Sequence, residues 1–176
     1  QNGDMVHTSE RSVAAMPIYY GGIIDDFQLK RELDNIDAIQ EINVEGMSYI
    51  PGVFYRNGQN ERAYKWLCKM MDPGLKRREY PEVSFCAVGY CAEGLMGIQP
   101  YAHLNVIETM PRLTQQTTWA CMEGLPVFEG TVTVEHGKDR TVFENYTGRP
   151  VIWRACFDGS ISNIEVNGNP ILVKHK

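Results

Sequence analysis

The stretch "REYPEVSFCAVGYCAEGLMGIQP", residues 78–100, constrains the fold of this chain more than any other. Pro81 suits the first position of a helix, where its missing N–H costs nothing. Beyond it nearly every turn is apolar on all sides, and the few charges, Glu82 above all, gather at the start. A helix without a polar face must be covered all round, whereas an amphipathic helix keeps one face wet. The surroundings of this helix therefore decide the architecture.

Four further segments up to about residue 98 have a helical period. "SERSVAAMPIYYGGII" (9–24) is apolar nearly all round and rich in small residues. "FQLKRELDNIDAIQEI" (27–42) is amphipathic, with Leu29, Leu33, Ile36 and Ile39 in one stripe. "MSYIPGVFYRNG" (47–58) is again mostly apolar. "NERAYKWLCKMM" (60–71) is amphipathic, with Asn60 offered as its cap and Asp72-Pro73-Gly74 as its stop. The order is buried, amphipathic, buried, amphipathic, buried. Two concentric layers of antiparallel helices produce that rhythm, and a plain bundle with uneven burial is the alternative. Glycines at 21, 22, 52, 89, 94 and 97 suit close approach within an inner layer, although each costs about 1 kcal/mol of helix propensity.

From about Leu104 the period changes to that of strands. "GTVTVEH" and "RTVFEN" flank "GKD" as a hairpin, and "PVIWRACF", "SNIEV" and "PILVKH" follow, separated by "DGS" and "NGN". The expected fold class is α+β: antiparallel helical hairpins over 1–100, then an antiparallel sandwich-like β domain over 101–176.

Composition removes several functions. A formal charge of -5 gives no basic footprint, so nucleic acid is not an expected partner. "AAMPIYYGGII" is too short to span a bilayer, so no membrane is expected either. The chain begins at Gln1, which reads as a processed product or a piece of something longer. Cys68, Cys86, Cys91, Cys121 and Cys156 lack zinc-type spacing and are expected as buried small hydrophobes. His7, His103, His136 and His175 share no ligand spacing, so neither metal nor other cofactor is expected. Nucleophile elbows, phosphate loops and dinucleotide fingerprints do not occur. Asn145-Tyr146-Thr147 matches a glycosylation acceptor, a pattern common by chance.

The alternating helical half runs into "EGLMGIQP", "LNVIETMPRLTQQTTWACMEGLPVFEGTVTVEHG" and a small β region ending "IEVNGNPILV". In these features it resembles the C-terminal end of a six-hairpin glycosidase, an (α/α)6 toroid followed by a β-sandwich. The resemblance implies the last helices of the toroid, glycoside hydrolysis, a carbohydrate ligand, and a periplasmic or extracellular rather than cytoplasmic setting. A whole toroid has six helical hairpins, and this chain supplies roughly five helices. It also implies that the missing part, upstream in the same protein or on a homo-oligomer partner, completes the substrate funnel.

In such a toroid the funnel opens where inner helices begin, here at 1–11, 43–49 and 74–82. The polar residues there are Asp4, His7, Glu10 and Arg11, then Glu45 and Tyr49, then Arg77, Arg78, Tyr80 and Glu82. Glycosidases use two carboxyl groups, and Glu82 and Glu10 are the catalytic candidates. Each also has a plain structural role: Glu82 complements a helix dipole and Glu10 follows Thr8 and Ser9 as in a capping box. Arg11, Tyr49, Tyr80 and Arg78 are the substrate-binding candidates, against ion pairing or rim packing. Asp25-Asp26 read as caps of the following helix. Two other classes stay open: a carbohydrate-binding module using the β half, and a structural protein whose open helical layer meets a partner.

Overall fold

The computed structural model describes residues 15–23, 25–75, 80–159, 161 and 163–172. The fold is α+β, helical first and then strand-rich, as the change of period requires. A short helix α1 (Met16–Tyr19) precedes α2 (Asp26–Asp37), whose cap is Asp25: its Oδ1 accepts from the Gln28 N–H at 2.8 Å. Asn43 caps α3 (Val44–Met47) in the same way through Gly46. Pro51 lies in the first turn of α4 (Ile50–Arg56), where a ring in place of an N–H does no harm. α5 (Asn60–Met70) and α6 (Pro81–Gly89) follow, and α6 continues into a π-helical turn, Tyr90–Leu95.

The alternation of buried and amphipathic segments holds in three of these helices. α2 buries Leu33 and Ile36, and α5 buries Ala63, Trp66, Leu67 and Met70, each keeping a wet face. α4 is buried without a break from Ile50 to Tyr55. In α6 the expectation of all-round cover is corrected. Val83 and Ala87 are buried, but Phe85 and Val88 are 76% and 68% exposed. Apolarity shows what a helix is able to bury, and the described residues place no neighbour on that side. The first candidate helix lies outside the described residues over 9–14.

Two smaller readings also change. Gln59, not Asn60, occupies the cap position of α5; Asn60 is the first helical residue, and its Oδ1 is buried without a partner. The cysteines are not core: Cys68 is exposed and the other four are half-buried, all as free thiols.

Two glycines join α4 to the π turn. A Cβ on Gly52 would come within 2.6 Å of the Tyr90 ring, and one on Gly94 would collide with the Tyr55 ring. Each segment thus offers a bare backbone to the other's tyrosine. Burying such a ring is worth about 1.5–3 kcal/mol. For the buried Tyr55 the ring's burial exceeds the roughly 1 kcal/mol a helical glycine costs, before its unpartnered hydroxyl is counted; for the half-buried Tyr90 the two nearly cancel.

The strands form three small sheets. β1 (Gln99–Tyr101), β2 (Val106–Thr109) and β6 (Ile152–Ala155) make one, in the order β1-β2-β6. β3 (Ala120–Val127), β4 (Gly130–His136) and β5 (Thr141–Tyr146) make an antiparallel meander with the expected β4–β5 hairpin. β7 (Ile164–Val166) and β8 (Asn169–Ile171) pair across Asn167-Gly168, both at positive φ as a tight two-residue turn demands. The expected antiparallel pairing has one exception, since β2 and β6 run parallel. Parallel neighbours need a long crossover, and here the whole β3–β5 meander supplies it.

One buried cluster crosses the helix-to-strand boundary near residue 100, joining Met96 and Ile98 to Ile107, Val132 and Val134. Two polar ties reinforce it. Arg112 Nη1 donates to the carbonyls of Gly94 (2.7 Å) and Glu93 (3.1 Å), and its backbone N–H donates to Leu95, so the open carbonyls of the π turn are satisfied. Fully buried His136 donates from Nε2 to the Met96 carbonyl (2.9 Å) and accepts at Nδ1 from the Thr141 hydroxyl (2.9 Å).

Gly94→Ala should cost about 1–3 kcal/mol, read as a lower urea midpoint with unchanged slope. An unmoved midpoint would mean that Tyr55 can step aside. Burial holds the His136 imidazole below its ordinary pKa, against the smaller opposing effect of the Met96 hydrogen bond. The unfolded chain then takes up a proton before the folded one does. The stability is fully present above about pH 6.5 and drains away as pH falls below it toward the lowered folded value. Midpoints measured from pH 7.5 to 5 should show this loss, and His136→Gln should flatten it; equal slopes in both proteins would contradict the assignment.

Candidate functional site

Of the three helix beginnings singled out by sequence, two come together, and the first, residues 1–11, lies outside the described residues. α3 lies against α6, so Glu45 on the first and Glu82 in the opening turn of the second share one end of the helical layer. Tyr49 and Tyr80 immediately precede α4 and α6 and are half-buried, while both glutamates are exposed. Glu10, Arg11 and Arg78 lie outside the described residues, as do Asp4, His7 and Arg77.

Aromatic rings gather at this end. Tyr19 stands edge-on to Tyr20 (centroids 5.2 Å apart, 82°) and to Tyr49 (5.3 Å, 76°). The Arg56 guanidinium lies 4.3 Å over the Tyr19 ring, and its Nη1 donates to the Tyr19 carbonyl at 3.1 Å. Partial burial pushes the Tyr49 hydroxyl up from its ordinary pKa, and Tyr20, Glu45 and Cys86 add to the rise. Burial also raises Tyr90, which is hydrogen-bonded to Tyr19. These phenols stay protonated and can donate.

Cys86 lies on the same side. Burial first, then the neighbouring Glu82 charge, pushes its thiol up. A thiol held protonated is a poor nucleophile, so covalent cysteine chemistry is disfavoured. What remains is a rim of phenol rings and hydroxyls beside two carboxylates. Such a set can stack on the C–H face of a polyol and exchange hydrogen bonds with its hydroxyls.

Sequence reasoning named Glu45, Tyr49, Tyr80 and Glu82 but missed Tyr19, Tyr20 and Arg56. The available signal was the pair Tyr19-Tyr20 before Gly21-Gly22: twin aromatics at a helix end, of which Tyr20 is 72% exposed. Asn145 has a local structural role. Its Nδ2 donates to the Arg149 carbonyl and its Oδ1 accepts from the N–H and hydroxyl of Thr147, so the triplet closes a turn. Among the described residues no group of three or more His, Cys, Asp or Glu is placed to hold a metal ion. No described helix is long and apolar enough to cross a membrane. No family model, no curated protein and no solved structure matches the chain.

Arg56→Ala should loosen the rim without unfolding the protein. Amides of residues 19–22 should exchange three- to tenfold faster, the effect of about 1 kcal/mol for a partly exposed cation–π contact. Unchanged exchange there would show that Arg56 does not hold Tyr19.

Proposed function

We propose that this chain is the C-terminal portion of a six-hairpin-type glycoside hydrolase acting on an oligo- or polysaccharide, inactive by itself. The observation that carries the reading is the contrast between α4 and α6. The two are similarly apolar, yet α4 is enclosed, whereas α6 leaves Phe85 and Val88 open. Further helices of a closed toroid would cover that face.

Within this reading each residue has a task. Tyr49, Tyr80 and the exposed Tyr20 give flat surfaces for sugar rings. Glu82 is one carboxylate of the pair that glycoside hydrolysis needs, and Glu10 is the other. Arg11 and Arg78 hold sugar hydroxyls. An inverting pair stands about 6.5–9.5 Å apart around a water, and a retaining pair stands closer. Either geometry has to be enclosed, because a general acid works in apolar surroundings. Glu82 is exposed, so its enclosure comes from outside the described residues.

The isolated chain should therefore hold oligosaccharide weakly at the rim without cleaving it. Tyr49, Tyr80 and Tyr20 ring signals should move saturably in NMR titrations, and aryl-glycosides should survive prolonged incubation. Turnover by the purified chain would overturn the reading, as would tyrosine signals indifferent to millimolar oligosaccharide.

A further inference from the structure

We infer that the β half carries a second, separate saccharide-binding cleft built around Trp153. Its volume is about 1160 Å³, and its walls come from the start of α5, residues 111, 113–115 and 118, the β4–β5 turn, Trp153 and Ala155 of β6, residues 157, 158, 161 and 163, and the β7–β8 hairpin. That volume exceeds the roughly 300–1,000 Å³ of an ordinary small-molecule pocket, and the cleft is open to solvent. It suits an extended chain of several units.

The lining chemistry selects the class of ligand. Trp153 stacks on Phe143 (5.2 Å, 11°) and donates its indole N–H to Thr109 at 3.0 Å. The ring is thereby fixed in place with its polar group already satisfied, and it offers the cleft carbon surface. The same cleft is also lined by Gln115, Asn163 and Asn167, which carry amides, and by Asp139 and Glu165, which carry carboxylates. Planar amides and carboxylates next to a rigid aromatic match a neutral sugar, with hydroxyls at its edge and C–H groups on its face.

Charge argues against the competing ligands. The cations of the lining are Lys138 and Arg140, and Arg140 is paired with Glu135 at 3.0 Å. Four carboxylate residues (Glu61, Asp139, Asp158 and Glu165) line the same walls, so polyanions are repelled. A basic peptide would use the same acidity and is the rival occupant that the decalysine arm of the test separates from the sugar. A flat, prepositioned indole among amides favours the sugar. This cleft is distinct from the tyrosine rim, so either assignment can fail alone.

The test is calorimetry and tryptophan emission with cello-, malto-, xylo- and manno-hexaose, in a Trp119→Phe background. Trp119 is exposed and lies off the cleft, and Trp66 is buried, so the emission change then reports Trp153. At least one hexaose should bind saturably, with a dissociation constant between about 1 µM and 1 mM. Trp153→Ala should weaken it at least tenfold by calorimetry. Because that change uncovers Phe143, the surface pair Asn163→Ala/Glu165→Ala serves as a second variant and should weaken it at least fivefold. Tyr49→Ala should leave the Trp153 emission titration unchanged, whatever it removes of the weaker heat of binding at the rim. The cleft assignment is overturned by no saturable binding of any hexaose, or by binding that ignores both cleft variants. It is equally overturned by a decalysine peptide that shifts Trp153 emission at lower concentration than every sugar. Binding lost in Tyr49→Ala but kept in the cleft variants would overturn the cleft while supporting the rim.

Discussion

The reciprocal fit of Tyr55 on Gly94 and Tyr90 on Gly52 is the contact on which the arrangement of this protein depends. It seats each segment's tyrosine against the other's bare backbone, a fit that a Cβ at either glycine would break. It carries a cost, because the Tyr55 hydroxyl is buried without a partner, and an unsatisfied buried group costs about 1–3 kcal/mol. Burial and the nearby Cys91 push that hydroxyl far above its ordinary pKa, against the opposing charge of Arg112. The phenol stays neutral, and the ring rather than the hydroxyl supplies the stabilisation.

From this contact the rest of the chain is positioned in sequence. The π turn leaves carbonyls that an α-helix would have used internally, and Arg112 reaches across to two of them. Met96, one residue beyond the turn, gives its carbonyl to His136. Backbone carbonyls of residues 93–96 therefore tie the end of the helical layer to Arg112 and, through His136, to the β3–β5 meander. The tyrosine rim borders this contact, since Tyr19 adjoins Tyr90, and it extends to Tyr49 at the start of α4. The Trp153 cleft lies on the β side of that linkage.

Much of this was legible in the residues. The period change near residue 100, the hairpin around Gly137, the Asn167-Gly168 turn and the Asp25 cap all follow from local chemistry that acts within a few residues. The alternation of buried and amphipathic helices correctly sorted α2, α4 and α5. It failed for α6, because periodicity reports the composition of a face and not its neighbours. The glycine positions pointed to close approach, but nothing local says which tyrosine fills which gap. The parallel β2–β6 pair and the Trp153 cleft were invisible for a related reason: each is assembled from segments tens of residues apart. The rim was half legible, with its helix-starting residues foreseen and the Tyr19, Tyr20 and Arg56 cluster missed.

Native-state hydrogen exchange tests the linkage most directly. If the tyrosine–glycine contact, Arg112 and His136 make one cooperative body, amides of residues 52–55, 94–96 and 132–136 share one opening free energy. Low denaturant should then shift all three groups together. Separate isotherms, with the helical amides opening well below the β3–β5 amides, would show two independent units and contradict the account.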